Sequence, residues 1–404
     1  MIQMADDYLA HLAGNINGLS DLNQTIIQGD GCVNSSINQS SEIPFFMDDP
    51  IYQATLKVEK YTLPVICVFG LLGNTLSSIT FLKLPLRRAP CSLYLAVRGF
   101  SDNGFLLSLL LPWISSTFDL HLSQVKGVCQ TIIFISYVCG CVSVWLCVFI
   151  TFENFLLIHN PFTAGKVCCD CISKLSTVLL VLFALALYSI SLRIMNGDCS
   201  PNQDLTELTQ IFVYTDSLLT LVIPTVVISV LMAVIAYKVI HILQIRKIHS
   251  KLSKVIIRDN PSATVQKRIL PIAKVTRMLF VVSFVFFALN VPSHVVRLRI
   301  LIGTFTKGHS TTSVTMATIQ SAFQILYYLS FSINVIVYAT FGSNFRLVFR
   351  KIFCGYVLPT TSSQVQTEAI NLVVQRRRRS MTENPSCAEA RPIVSECDRS
   401  CHKS

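Results

Sequence analysis

Seven stretches of this sequence stay apolar long enough to cross a lipid bilayer, which takes about 20 residues of helix. They run roughly over Tyr61–Leu82, Cys91–Ser115, Gly127–Ile158, Leu175–Met195, Leu208–Leu243, Ile269–Leu289 (continuing past Pro292) and Ser313–Phe341. No other feature narrows the fold as far. In lipid every backbone N–H and C=O needs an internal partner, so only helices and closed barrels span. Sustained period-two alternation is missing, which argues against a barrel. The expectation is an all-α membrane protein, a seven-transmembrane helix bundle. Composition agrees: 52% of the 404 residues are hydrophobic and 14% are charged, where soluble domains carry about 25%. That balance excludes a disordered chain or a charge-laced coiled coil and argues against an ordinary cytosolic enzyme. Pro64, Pro112, Pro224 and Pro292 lie in or near the blocks and each removes a helical hydrogen bond.

Charge sorts by side. Residues 1–60 hold eight Asp or Glu against Lys57 and Lys60, whereas Gln244–Arg277 holds nine Lys or Arg against Asp259 alone. Lys83, Arg87 and Arg88 follow the first block, and Arg350, Lys351 and Arg376–Arg379 follow the seventh. The positive-inside rule puts these basic segments in the cytoplasm, with the N-terminus outside and the C-terminus inside. Met1–Ala10 has neither a basic start nor an apolar run, so the first block is expected to act as the insertion signal. The glycosylation triplets at Asn23, Asn34 and Asn38 all fall in the segment placed outside. Cys129 opens the third block and Cys199 lies between the fourth and fifth, both on the oxidising side. A disulfide between them is expected there, with two free thiols as the alternative. Cys32 is left over, and Cys168, Cys169 and Cys171 cluster in a cytoplasmic loop without the His that would complete a metal site.

Several short motifs follow one another in order across the blocks. Gly73-Asn74 lies in the first, Leu95-Ala96 with Asp102 in the second, and Glu153-Asn154-Phe155 at the end of the third, before His159-Asn160-Pro161-Phe162. Pro224 lies in the fifth. Phe286, Leu289, Asn290 and Pro292 lie in the sixth, Asn334 and Tyr338 in the seventh, and Phe345-Arg346 just beyond. From Tyr61 to Cys354 this set resembles the rhodopsin-like G-protein-coupled receptors. The resemblance implies a short amphipathic eighth helix over 342–356, after an outer tail over 1–60 and the helical domain over 61–341, with a disordered tail over 357–404. It also implies an extracellular ligand, a heterotrimeric G protein as partner, arrestin and kinases as further partners, and residence in the plasma membrane.

The departures from that pattern bear on function. The Arg that follows the acidic residue at the end of the third span is Asn154 here, the Trp of the sixth is Asn290, and the Pro of the seventh is Val335. Either coupling survives with altered gating, or the protein binds ligand and couples weakly or not at all, as a decoy or scavenger. Glu153 lacks the adjacent Arg, leaving Arg277 as a replacement partner or solvent as its surroundings.

Asp102 sits in mid-span, where an ionised carboxylate costs about 2.5–3.5 kcal/mol on insertion scales. By resemblance it joins Asn74, Ser143 and Asn334 in a polar cluster that holds a sodium ion or serves as a fixed hydrogen-bond hub. Arg98, four residues earlier, shares its helix face. It either neutralises Asp102 in place of a cation or extends to the headgroups.

Ligand class is read by elimination. Ser136 stands where resembling amine receptors carry an Asp, and Tyr328 where opsins carry the retinal Lys. A peptide fits the long acidic tail and the basic Arg297, Arg299 and Lys307, since Arg meets a terminal carboxylate or amide through two hydrogen bonds. The runs Thr215–Leu218 and Leu289–His294 resemble invertebrate neuropeptide receptors. Ser136, Tyr214, Arg297, Gln324 and Tyr328 are the candidate pocket residues. On the inner side the basic segments suit anionic lipid, Cys354 is a palmitoylation candidate, and Ser380 and Thr360–Ser363 are kinase candidates. No nucleophile, metal set or paired-carboxylate constellation lies in the blocks, so neither an enzyme nor a cofactor is expected. Nothing points to nucleic acid.

Overall fold

The computed structural model describes residues 49–120, 125, 127–160, 170–195, 202–255, 263–307 and 314–355. Helix α1 is Pro50–Leu82. Asp49 caps it, its Oδ1 accepting from the N–H of Ile51 at 2.8 Å and of Tyr52 at 3.1 Å, with Pro50 in the first turn. Residues 50–60, read from sequence as part of the outer tail, are therefore helical. Asp-Pro is a start signal that the apolar count passed over.

Helix α2 is Pro90–Thr117 and α3 is Val128–His159. Gly127 opens α3 at φ 86°, a left-handed conformation that only glycine takes cheaply. Helix α4 is Asp170–Tyr188, followed by the single turn Ser191–Ile194. Helix α5 has three parts: Thr206–Asp216, a π-helical turn Ser217–Val222, and Ile223–Val255. Helix α6 is Ala263–Lys307, 45 residues unbroken through Pro292. Helix α7 is Val314–Ser332 and Asn334–Phe341, bent by 54°. Helix α8 is Ser343–Phe353. Among the described residues there is no strand.

Helix α3 is the hub and touches α2, α4, α5 and α6, while α1 packs on α2 and α7, and α6 on α7. By length and apolarity, five single helices can cross a membrane, and the two halves of α7 make a sixth as one bent span. Helix α2 falls short of that apolarity although it is 28 residues long. Its inward face carries the buried Ser92, Arg98, Asp102 and Ser108, and these lower its hydropathy. The outer surface of the bundle is oily: Leu179, Leu182, Phe183, Val226, Val230 and Phe284 are all exposed. A patch of that extent suits lipid, not water.

Two breaks have identifiable causes. In α5 the Ile223 N–H bonds Leu218 O, five residues back, and Pro224 has no N–H to give. Leu219 O is met instead by the Trp145 indole of α3 at 3.0 Å. In α7 the bend falls beside Val335, with no proline. Phe331 O is taken by Asn74 Nδ2 of α1 at 2.8 Å, while Ser330 and Ser332 bond back to Tyr327 O and Leu329 O. Such inserted and back-bonded groups loosen a helical ladder. Gly73 lets α1 come close at this level, since a Cβ there would meet Val335 Cγ1 at 2.6 Å.

Candidate functional site

The middle of the bundle holds a charged core. Asp102 is fully buried and accepts from Ser143 Oγ of α3 through Oδ1, and from Asn334 Nδ2 of α7 at 2.8 Å through Oδ2. Arg98 Nε lies 3.8 Å from Asp102 Oδ2. At 1% exposure Arg98 lies inside the bundle beside Asp102, with its Nε and Nη1 making no hydrogen bond. Its guanidinium stands 5.0 Å from the centroid of the Phe286 ring of α6. One side-chain cluster thus joins α2, α3, α6 and α7. With both carboxylate oxygens engaged and a guanidinium beside them, the residues present do not fit a metal ion at Asp102. Among the described residues no cluster of His, Cys, Asp or Glu could hold a metal elsewhere.

Asn74 does not join Asp102 as expected. Its amide donates to the α7 backbone, so it acts on the bend. Asn290 is buried and donates to Phe286 O at 2.6 Å, while Ser330 Oγ of α7 lies 3.4 Å from its Oδ1. Tyr338 is buried with its ring 4.9 Å from Phe81 and 5.6 Å from Phe345 of α8. Pro224 is buried beyond the π turn, and Pro292 is half-buried.

At the His159 end of α3, Glu153 is 5% exposed, which overturns the solvated reading. Arg277, its proposed partner, is exposed. Asn154 is fully buried, and both atoms of its amide lack a hydrogen-bond partner. Phe155 is half-buried, its ring 5.2 Å from His159.

At the Cys129 end lies a polar niche. Arg297 Nη2 of α6 lies 3.5 Å from Gln324 Oε1 of α7, and its guanidinium stands 5.7 Å from the Tyr327 ring. Tyr328 is buried beside Tyr327, with ring centroids 6.2 Å apart. Ser136 is buried on α3 and Tyr214 half-buried on α5. Residues that sequence reading left out of the pocket also line this region. His294 packs on Tyr327 at 5.9 Å, and Tyr188 OH donates to Asp216 Oδ1 at 2.6 Å. Three polar side chains on one stretch of the apolar α6, Ser293, His294 and Arg297, were the signal available for His294.

Cys129 is disulfide-bonded, whereas Cys67, Cys139, Cys141, Cys147, Cys171 and Cys354 are free thiols. Cys199, its expected partner, lies outside the described residues. The described residues on either side of it are hydrogen-bonded. Gln130 Nε2 donates to Met195 O at 2.5 Å, and Asn202 N–H to Ile194 O at 2.8 Å. Asn23, Asn34, Asn38, Cys32, Cys168, Cys169, Thr360–Ser363 and Ser380 also lie outside the described residues.

A model of the family described as 7 transmembrane receptor (rhodopsin family) matches residues 73–338. No curated protein matches the chain significantly.

Proposed function

The chain belongs to the rhodopsin family of seven-transmembrane receptors, and from that membership we propose that it is a peptide receptor of the plasma membrane coupled to a heterotrimeric G protein. Ligand enters at the Cys129 end, and a helix rearrangement carries the signal to the His159 end. One observation carries this reading most of the way. The Arg98–Asp102 pair ties α2 to α3 through Ser143, to α7 through Asn334 and to α6 through Phe286. A buried ionic hub of this kind favours discrete arrangements over gradual deformation. The flanking breaks, a π turn in α5 and the bend in α7, supply segments that can change register.

The remaining assignments follow the same topology. The N-terminus is outside with glycans on Asn23, Asn34 and Asn38, and Cys129 pairs with Cys199. Helix α8 lies along the inner membrane face, since it buries Phe345 and Val348 while Arg350 and Lys351 are exposed. Cys354, exposed at its end, carries the acyl chain. Arrestin and kinases act on the tail through Ser380.

Asn154 favours a second reading, a receptor that binds ligand without coupling, because a short neutral amide replaces the family's Arg. The test is a neuropeptide panel on cells expressing the full chain, read in parallel by ligand binding and by second messengers for each G-protein class. A dose-dependent messenger response supports the receptor. Binding with no response in any class supports the decoy, and a response only to non-peptide ligands refutes the peptide assignment.

A further inference from the structure

Near the Tyr327 ring, Arg297 Nε and Gln324 Nε2 are buried donors without a hydrogen-bond partner. Arg297 makes one long bond, 3.5 Å to Gln324 Oε1, and its Nε is buried without a partner. Gln324 is 5% exposed; its Oε1 faces Arg297, and its Nε2 is unsatisfied. Asp216 is the carboxylate reached by the charge of Arg297, but it accepts from Tyr188 and makes no ion pair with Arg297. The floor and wall are aromatic: Tyr327, Tyr328 and the His294 imidazole. A buried donor left unmet costs about 1–3 kcal/mol. A pair of neighbouring side chains with only N–H groups to spare is matched by a group that only accepts. An ionised carboxylate is the acceptor that also meets the charge of Arg297, which a neutral amide oxygen does not.

We propose that Arg297 and Gln324 form a carboxylate-binding subsite floored by Tyr327, which takes an aromatic-flanked carboxylate of the ligand, either a peptide's free C-terminus or an acidic side chain. The inference rests on the peptide-receptor reading and specifies which end chemistry that receptor selects. Arg297 supplies charge and a planar fork. Gln324 turns its oxygen to Arg297 and keeps an unmet amide donor in Nε2. The Tyr327 ring faces the guanidinium at 5.7 Å. His294 closes the niche one turn below Arg297 on α6.

The experiment uses the full chain in lipid nanodiscs and three fragments: N-acetyl-phenylalanine, its neutral amide, and N-acetyl-aspartyl-phenylalanine amide. Thermal unfolding is followed against fragment concentration up to about 10 mM, which brackets the affinity that ligands of this size reach. At least one carboxylate fragment is expected to stabilise the wild type with an apparent Kd roughly tenfold below that of the neutral amide. The free acid being preferred identifies a peptide terminus, and the aspartyl amide being preferred identifies a side chain. That contrast is expected to vanish in Arg297→Gln and to shrink in Gln324→Leu. Arg297→Lys, which keeps the charge and the stem, serves where the Gln variant does not fold and is expected to retain part of the contrast. Equal binding of acid and amide, no binding by any fragment, or a contrast that survives Arg297→Gln would each overturn the subsite. No G protein enters the measurement, so its failure is separable from a failure of coupling.

Discussion

Arg98 and Asp102 show how much a single pair of residues can reveal at the level of sequence. Spacing put them on one face of α2, and mid-span burial made pairing the cheaper state for both. The side of the pair that faces α6 was not legible, because no periodicity in α2 reports where Phe286 will stand. Asn74 was misassigned for the same reason, since a helix pattern gives the face of a residue but not which neighbour its amide meets. Removing one member of a buried pair leaves an uncompensated charge and costs about 3–5 kcal/mol, whereas replacing both with neutral groups of similar size is often nearly neutral. Arg98→Met is therefore expected to unfold in nanodiscs at a markedly lower temperature, and Arg98→Met with Asp102→Asn to recover most of the loss. A double mutant as unstable as the single would show that the two side chains do not act as a pair. The vacated space in Arg98→Met also leaves Asp102 open to a small cation. Sodium in place of choline is then expected to raise the unfolding temperature of Arg98→Met and not of the wild type, and an equal response in both would refute displacement by the guanidinium.

At the scale of elements, each of the seven apolar blocks falls on a helix, and the two irregular helices were where sequence was least informative. Helix α7 bends without the proline that would have announced it, because Asn74 on another helix takes its carbonyl. The π turn in α5 precedes Pro224, but the donor that makes it tolerable, Trp145, comes from α3. Pro224 marks the α5 break in its own sequence, whereas a donor on a neighbouring helix leaves no such mark. Both breaks can be tested through those donors. Trp145→Phe keeps the ring and strands Leu219 O, which is expected to cost about 1–3 kcal/mol for an unmet buried carbonyl. Asn74→Ala removes the donor to Phe331 O and is expected to cost a similar amount and to straighten α7. Double electron–electron resonance between spin labels at Leu175 and Phe341, both exposed, reads that straightening as a shifted distance. An unchanged distance would show that the serine back-bonds hold the bend on their own.

For the whole molecule, the open issue is whether the bundle passes its signal on, and it narrows to the His159 end of α3. Asn154 there is fully buried with neither amide atom satisfied, next to a buried Glu153. A native bundle does not commonly keep two unmet polar atoms in its interior, and an apolar side chain of like size would relieve both. Asn154→Leu is therefore expected to stabilise the resting bundle by about 1–3 kcal/mol. If unmet polarity at this point serves coupling, that gain comes with a loss of messenger output. Asn154→Arg tests the opposite direction, because it restores a long cation beside Glu153 and a donor fork at the inner mouth. With surface expression matched by antibody, basal and ligand-driven second messenger are expected to rise several-fold in Asn154→Arg and to fall in Asn154→Leu. Output unchanged in both variants would mean that residue 154 does not limit coupling. The decoy reading would then lose the residue that most directly favours it.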